Sequence, residues 1–335
     1  MRWGFLGLFL ALACSPALAN DSTAELATGG LKFVASADIE MRSEDLFIST
    51  AEIRVGYRFF NNSGRDVTTL VAFPMPDITI AGPDDNIAVP TEDPENVLDF
   101  HTTVAGKPVA MQVEQKVFAQ GLDRTELLRK LGIPLQPQLA ATNDALDGLP
   151  QAQWDDLIKL GLADVDEYDA GKGMKKHLEA RWTLKTTYYW EQTFPAKSEL
   201  VIEHRYKPSV GSSAGTMVAA DWAKTEPSYR DYMRKYCIDA SLVAAVQRLR
   251  KSGTPNQPVE PSEQRIAYIL KTGANWDGPI KNFHLTVDKG DPNNLVSFCG
   301  EGVKKISATQ FEMRKTDFTP TDDFYLLIVT KPGGG

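Results

Sequence analysis

Apolar residues recur at every second position along much of this chain. Ile53, Val55, Tyr57 and Phe59 alternate with Glu52, Arg54 and Arg58. That period of two marks a half-buried strand. Asn62-Ser63-Gly64-Arg65 supplies turn residues, and the pattern returns through Val67, Thr69, Val71 and Phe73. Pro74 and Pro76 cannot donate ladder hydrogen bonds and end the run. The stretch predicts an antiparallel hairpin with one apolar face. A second hairpin is predicted from Leu98, Phe100, Thr102 and Val104, a tip at Ala105-Gly106-Lys107-Pro108, and a return through Val109, Met111 and Val113. A third runs through Trp182, Leu184, Thr186, Tyr188 and Trp190, turns at Thr193 to Lys197, and returns through Leu200, Ile202, His204 and Tyr206.

The period changes between the second and third hairpins. Asp123-Arg124-Thr125-Glu126 has capping-box form, followed by Leu127, Leu128 and Leu131 at helical spacing and a closing Gly132. Trp154, Leu157, Ile158 and Gly161 predict another short helix. Residues 121–176 therefore read as a helical insertion. Lys207 to Gly215 is a Gly/Ser-rich boundary. Beyond it, Asp239 caps a helix predicted over Ala240 to Lys251, with Leu242, Val246 and Leu249 inward and Arg248, Arg250 and Lys251 at the negative dipole end. Short strands fill the rest, and no strand–helix–strand alternation appears. The expected architecture is mainly β: an antiparallel β-sandwich over 20–215 with the helical insertion, then a C-terminal part, 216–335, of one helix and antiparallel strands.

The first nineteen residues stand outside that scheme. Met1-Arg2 is basic, Trp3 to Ala13 is uncharged and apolar, and Ala17-Leu18-Ala19 is a small-x-small cleavage site. This predicts a secretory signal peptide cut before Asn20. Cys14 admits a rival, lipoprotein acylation after Ala11-Leu12-Ala13, although Leu12 suits that position poorly. Cleavage before Asn20 leaves 335 − 19 = 316 residues, enough for a sizeable core. It also removes Arg2, taking the formal charge from −8 to −9. A mildly acidic chain disfavours nucleic acid and anionic lipid as partners. No later stretch approaches the ~20 apolar residues of a membrane helix, so a periplasmic protein is expected. Cys237 and Cys299 remain after cleavage, and an even pair in an oxidising compartment predicts a disulfide.

Three stretches resemble a bacterial exported family, the domain of unknown function 4424. They are Ala72 to Ile78 (AFPMPDI), Trp190 to Gly211 and Lys281 to Gly300. A weaker likeness, over roughly Ile48 to Gly211, is to the vault/inter-alpha-trypsin type of β-sandwich. Neither resemblance implies catalysis, a cofactor or a partner.

Candidate chemistry is sparse. Gly211-Ser212-Ser213-Ala214-Gly215 matches G-x-S-x-G, which in an α/β-hydrolase presents a nucleophilic serine. Ser213 would need His284 as base, and the surrounding pattern is not that of an α/β fold. His101, His177, His204 and His284 show no zinc spacing, and His204 falls on an apolar strand face, as a core histidine would. Asp164 to Asp169 lacks the ligand and glycine positions of a calcium loop. The acidic run Asp84, Asp85, Glu92, Asp93 and Glu95 reads as surface charge. Tyr189, Trp190 and Trp222 are candidates for an aromatic glycan platform, against core packing. The chain thus reads as an exported, non-catalytic binding module for a protein or glycan partner, with no cofactor. A serine-dependent envelope hydrolase and a metal or small-ligand carrier are the alternatives.

Overall fold

The computed structural model describes residues 20–27, 30–80, 88–169, 173–254 and 259–331. The expected signal peptide, Asp84 and Asp85 lie outside the described residues. The chain opens with β1 (Ser22–Ala27), β2 (Gly30–Val34), β3 (Ile39–Ile48), β4 (Ile53–Asn61), β5 (Val67–Pro74) and β6 (Ile78–Thr79). There follow β7 (His101–Val104), β8 (Lys107–Pro108), β9 (Gln112–Ala119) and β10 (Leu122–Asp123). Three helices come next: α1 (Thr125–Lys130), α2 (Ala140–Asp147) and α3 (Gln151–Lys159). A hairpin of β11 (Ala163–Asp169) and β12 (Met174–Ala180) leads to the long strands β13 (Thr183–Phe194) and β14 (Glu199–Tyr206). The C-terminal part holds β15 (Gly211–Ser213), α4 (Tyr229–Lys235), α5 (Ala240–Lys251) and β16 (Ser262–Tyr268). It ends with β17 (Ile280–Asp288), β18 (Leu295–Phe298), β19 (Lys304–Lys305), β20 (Gln310–Phe318) and β21 (Phe324–Thr330).

The fold is mainly β, and its strands pair antiparallel except for one parallel ladder in the second sheet. The first sheet has the order β10-β9-β13-β5-β1-β2, with β6 beside β13. The second has the order β19-β20-β17-β3-β4-β14-β7-β8. These two pack face to face. Phe73 of the first sheet meets His204 of the second at 4.8 Å between ring centroids, and Phe59 meets Phe194 at 5.8 Å. Tyr188 stacks at 4.7 Å on Phe100, which precedes β7. The third sheet, β15-β16-β21-β18, packs Leu327 and Val329 against Val246 of α5 and Tyr232 of α4. The Asp239 carboxylate accepts from Leu242 N–H at 2.8 Å, so α5 begins and ends where its cap and dipole chemistry place it.

The hairpin expectations need correction. β4 pairs with β3 and β14, whereas β5 pairs with β1, β13 and so lies in the opposite sheet. β13 and β14 likewise belong to different sheets. Each predicted turn is therefore an arch that carries the chain across the core. An alternating strand with one apolar face satisfies a hairpin and an arch equally, because in either case that face turns inward. In the second hairpin the tip holds: Ala105 and Gly106 both adopt positive φ (48° and 75°) between β7 and β8. That is the twist a two-residue hairpin turn requires. The return leg then leaves for the first sheet as β9.

Two boundaries also differ from expectation. The helices occupy only 125–159, and the remainder of the insertion is the β11–β12 hairpin. Strands from both sides of residue 215 share the second sheet, because β17 pairs in parallel with β3. Cys237 and Cys299 form a disulfide, with Cα atoms 5.1 Å apart, tying the turn after α4 to the end of β18.

Candidate functional site

A cleft of about 330 Å³ opens where the C-terminal sheet meets one end of the sandwich. One wall is Met75 to Thr79, where Pro74 and Pro76 have ended the β5 ladder, together with Leu98, Tyr188 and Tyr206. The opposite wall is Lys235 and Tyr236 at the end of α4, Arg265 to Ala267 on β16, and Tyr325 on β21. The lining is largely apolar and aromatic, the usual character of a ligand pocket.

Two cations stand in this lining. The Lys235 ammonium lies 4.2 Å from the centroid of the Tyr325 ring. Partial burial, and then the charge of Arg265, hold it below the usual lysine range. Among the described residues no carboxylate forms an ion pair with Lys235. Arg265 Nε is 3.6 Å from Glu263, a buried carboxylate that also accepts from Tyr232 Oη–H at 2.5 Å. The acidic group in the lining, Asp77, is already engaged by Lys185 at 3.1 Å. The Thr186 hydroxyl is buried in the same lining without a hydrogen-bond partner. Such a cleft has positive charge and one spare hydroxyl to offer, within an apolar enclosure.

The outer face of the second sheet forms a broader trough, in which several arginines are held in ion pairs. Arg58 pairs with Glu199 at 2.7 Å and Arg314 with Glu312 at 3.1 Å. His284 lies in that trough between Asp45 at 3.2 Å and Glu312 at 3.4 Å. Ser213 sits on β15 in the third sheet, where its hydroxyl accepts from Gly215 N–H at 3.4 Å. Among the described residues no imidazole is hydrogen-bonded to Ser213. The structure therefore assembles no serine–histidine pair there.

The aromatic candidates separate in the same way. Trp190 is buried at 5.7 Å from the His204 ring, Tyr189 faces the other side of β13, and Trp222 is exposed on a short helical turn after β15. They form no common platform. Asp166, His177 and Glu179 gather on the β11–β12 hairpin within 4.8 Å of one another. Arg181 already holds Glu179 at 2.6 Å, so one of the three is engaged in an ion pair.

His204 is a core histidine. Its Nε2 is 3.0 Å from Asp21 and its Nδ1 2.8 Å from the Thr102 hydroxyl, all with buried side chains. Lys235, Arg265 and Thr186 had no distinguishing signal in the sequence, because their significance comes from two segments meeting in space.

The protein is thus a β protein of three larger sheets and the β11–β12 hairpin, with a cation-lined apolar cleft and a sulfur bridge in its C-terminal part. It belongs to the family described as Domain of unknown function (DUF4424), whose model matches residues 19–327. Among solved structures, a Legionella pneumophila protein described as a "putative nutrient binding protein" is similar over 93% of this chain and 70% of its own, at 18% identity and a TM-score of 0.44. That likeness is too distant to carry a fold or a function across. No curated protein matches.

Proposed function

We propose that this chain is an exported periplasmic binding protein whose cleft takes a small amphipathic ligand bearing a carboxylate. The observation that carries the reading is the Lys235–Arg265 pair in an apolar lining that holds no free counter-charge. Two of the three stretches that carry the family resemblance contribute to that lining, one through Met75 to Ile78 and the other through Pro208, Ser209 and Gly211. Export is supported by the signal-like first nineteen residues and by the Cys237–Cys299 disulfide. No helix among the described residues is long and apolar enough to cross a membrane.

Titration calorimetry with decanoate and with decyltrimethylammonium tests the reading. Decanoate is expected to bind and the cationic amphiphile is not. Lys235→Gln and Arg265→Gln should each weaken decanoate about 10-fold or more, since a charge-assisted hydrogen bond contributes roughly 1.5–3 kcal/mol. Equal affinity for both amphiphiles, or binding indifferent to both substitutions, would refute it.

A further inference from the structure

The sandwich encloses a charge imbalance at the start of its described chain. Asn20, Asp21 and Glu44 are buried, with exposures of 0%, 0% and 1%. Asn20 Nδ2 donates to Glu44 Oε2 at 3.0 Å, and its Oδ1 accepts from the Tyr57 hydroxyl. Tyr57 and Tyr268 hydroxyls are 3.2 Å apart. Trp276 Nε1 donates to the Asp21 carbonyl at 2.6 Å, and Asn275 Nδ2 to Ser22 Oγ at 2.9 Å, so the segment is anchored by its neighbours. Asp21 and Glu44 supply two carboxylates, and His204 is the one basic side chain paired with them among the described residues. Asp21 Oδ2 and Glu44 Oε1 have no hydrogen-bond partner. A carboxylate buried without a partner is among the costliest features a core can hold. Burial pushes Glu44 up to about 8; the Asn20 hydrogen bond opposes that rise, the Asp21 charge adds to it, and Tyr268 opposes it more weakly.

We propose that the missing cation is the α-ammonium of Asn20, created when the leader is cut between Ala19 and Asn20. Hydrolysis by a signal peptidase adds water across that bond. It leaves a carboxylate on Ala19 and an amine on Asn20 that takes up a proton at neutral pH. The new charge arises on the buried residue whose side chain already bridges Glu44 and Tyr57 and which directly precedes Asp21. An uncut chain has a neutral amide at that point, with one donor and no charge. Export processing would thereby complete the buried network around Asn20 and Asp21, at the start of a β1 strand that is already paired.

The inference rests on export and on cleavage before Asn20, and it is independent of what the cleft binds. The first measurement uses the protein secreted from its full-length chain. Intact-mass and N-terminal peptide analysis should place the terminus at Asn20. An amine-reactive ester should label that α-amine at least tenfold more slowly in the folded protein than in urea. A terminus at any other residue, or labelling at the unfolded rate, overturns the inference.

The second measurement inserts one Ala before Asn20, which displaces the ammonium by one residue and leaves the core intact. The groups facing Glu44 are Asn20, Asp21, Tyr57 and Tyr268, with His204 beyond Asp21. Without the ammonium, Glu44 keeps a folded-state value above its unfolded one. The native state then holds a proton that the unfolded state releases. Stability of the inserted protein should therefore fall as pH rises from the ordinary carboxylate range to about 8, then level off. The processed natural chain should lack that fall. In a Glu44→Gln background the insertion should shift the melting temperature far less. Equal shifts in both backgrounds overturn the inference.

Discussion

Asp21 and His204 show how much a single buried contact can hold. Burial raises the Asp21 carboxyl, and the His204 charge and hydrogen bond oppose that rise. Thr102 Oγ1 lies 2.8 Å from His204 Nδ1 and 2.9 Å from Met111 Sδ. Both ring nitrogens of His204 are thus engaged inside the core. Removing either partner leaves buried polar groups without the hydrogen bond that satisfies them. Asp21→Asn and His204→Gln should each cost about 3–5 kcal/mol in urea unfolding. The double variant should cost clearly less than their sum. Strict additivity would show that the two groups do not act as a pair. Glu44 belongs to the same scale. Its inward orientation follows from the register shift between Met41 and Ser43 in β3. Ile39 and Met41 point inward at odd positions, Leu46 and Ile48 at even ones. That change of phase is visible in the sequence, and it was the available sign that Glu44 would be buried.

At the scale of elements, the arches decide the fold. The Asn61 amide donates to the carbonyls of Arg65 and Phe194, both at 2.8 Å. Its oxygen accepts from Ser63 N–H at 2.8 Å, and the Asp66 carboxylate accepts from Ala196 N–H at 2.9 Å. One buried asparagine thus joins the β4–β5 arch to the β13–β14 arch. Asn61→Ala would take the amide donor from the buried Phe194 carbonyl, whereas the Arg65 carbonyl keeps the Ser63 hydroxyl at 2.8 Å, and a buried unsatisfied group costs about 1–3 kcal/mol. A loss in that range is expected in thermal or urea unfolding, and no measurable loss would show that water replaces the amide. The alternating pattern located all four of these strands. It could not assign them to sheets, because a strand's partner is set by hydrogen bonds along its edge, on which the side-chain rhythm is silent. The helix Ala240–Lys251 was legible from its capped start to about its end, since its cap, stripe and dipole charges are all local. At α1, the Asp123 carboxylate accepts from Thr125 N–H, and the N-cap itself is Arg124, one residue later than the capping-box pattern implied.

On the scale of the whole molecule, the parallel pairing of β17 with β3 unites chain segments more than two hundred residues apart. A chain ending at residue 215 would lose β17 and β20 and leave β3 as an open edge. It should fail to give a cooperative unfolding transition and should associate on concentration, and a sharp two-state melt of that fragment would contradict this. The cleft is likewise a product of distance, with Met75 to Thr79 on one wall and Lys235, Arg265 and Tyr325 on the other. Local chemistry alone determined the β character, the main helix, the family resemblance and the choice of inward faces, because side-chain periodicity and capping act within a few residues. Only the tertiary structure decided which sheets those faces close between, which cations meet in the cleft, and which carboxylates are sealed away from water. Those outcomes depend on contacts between segments whose separation along the chain leaves no local trace.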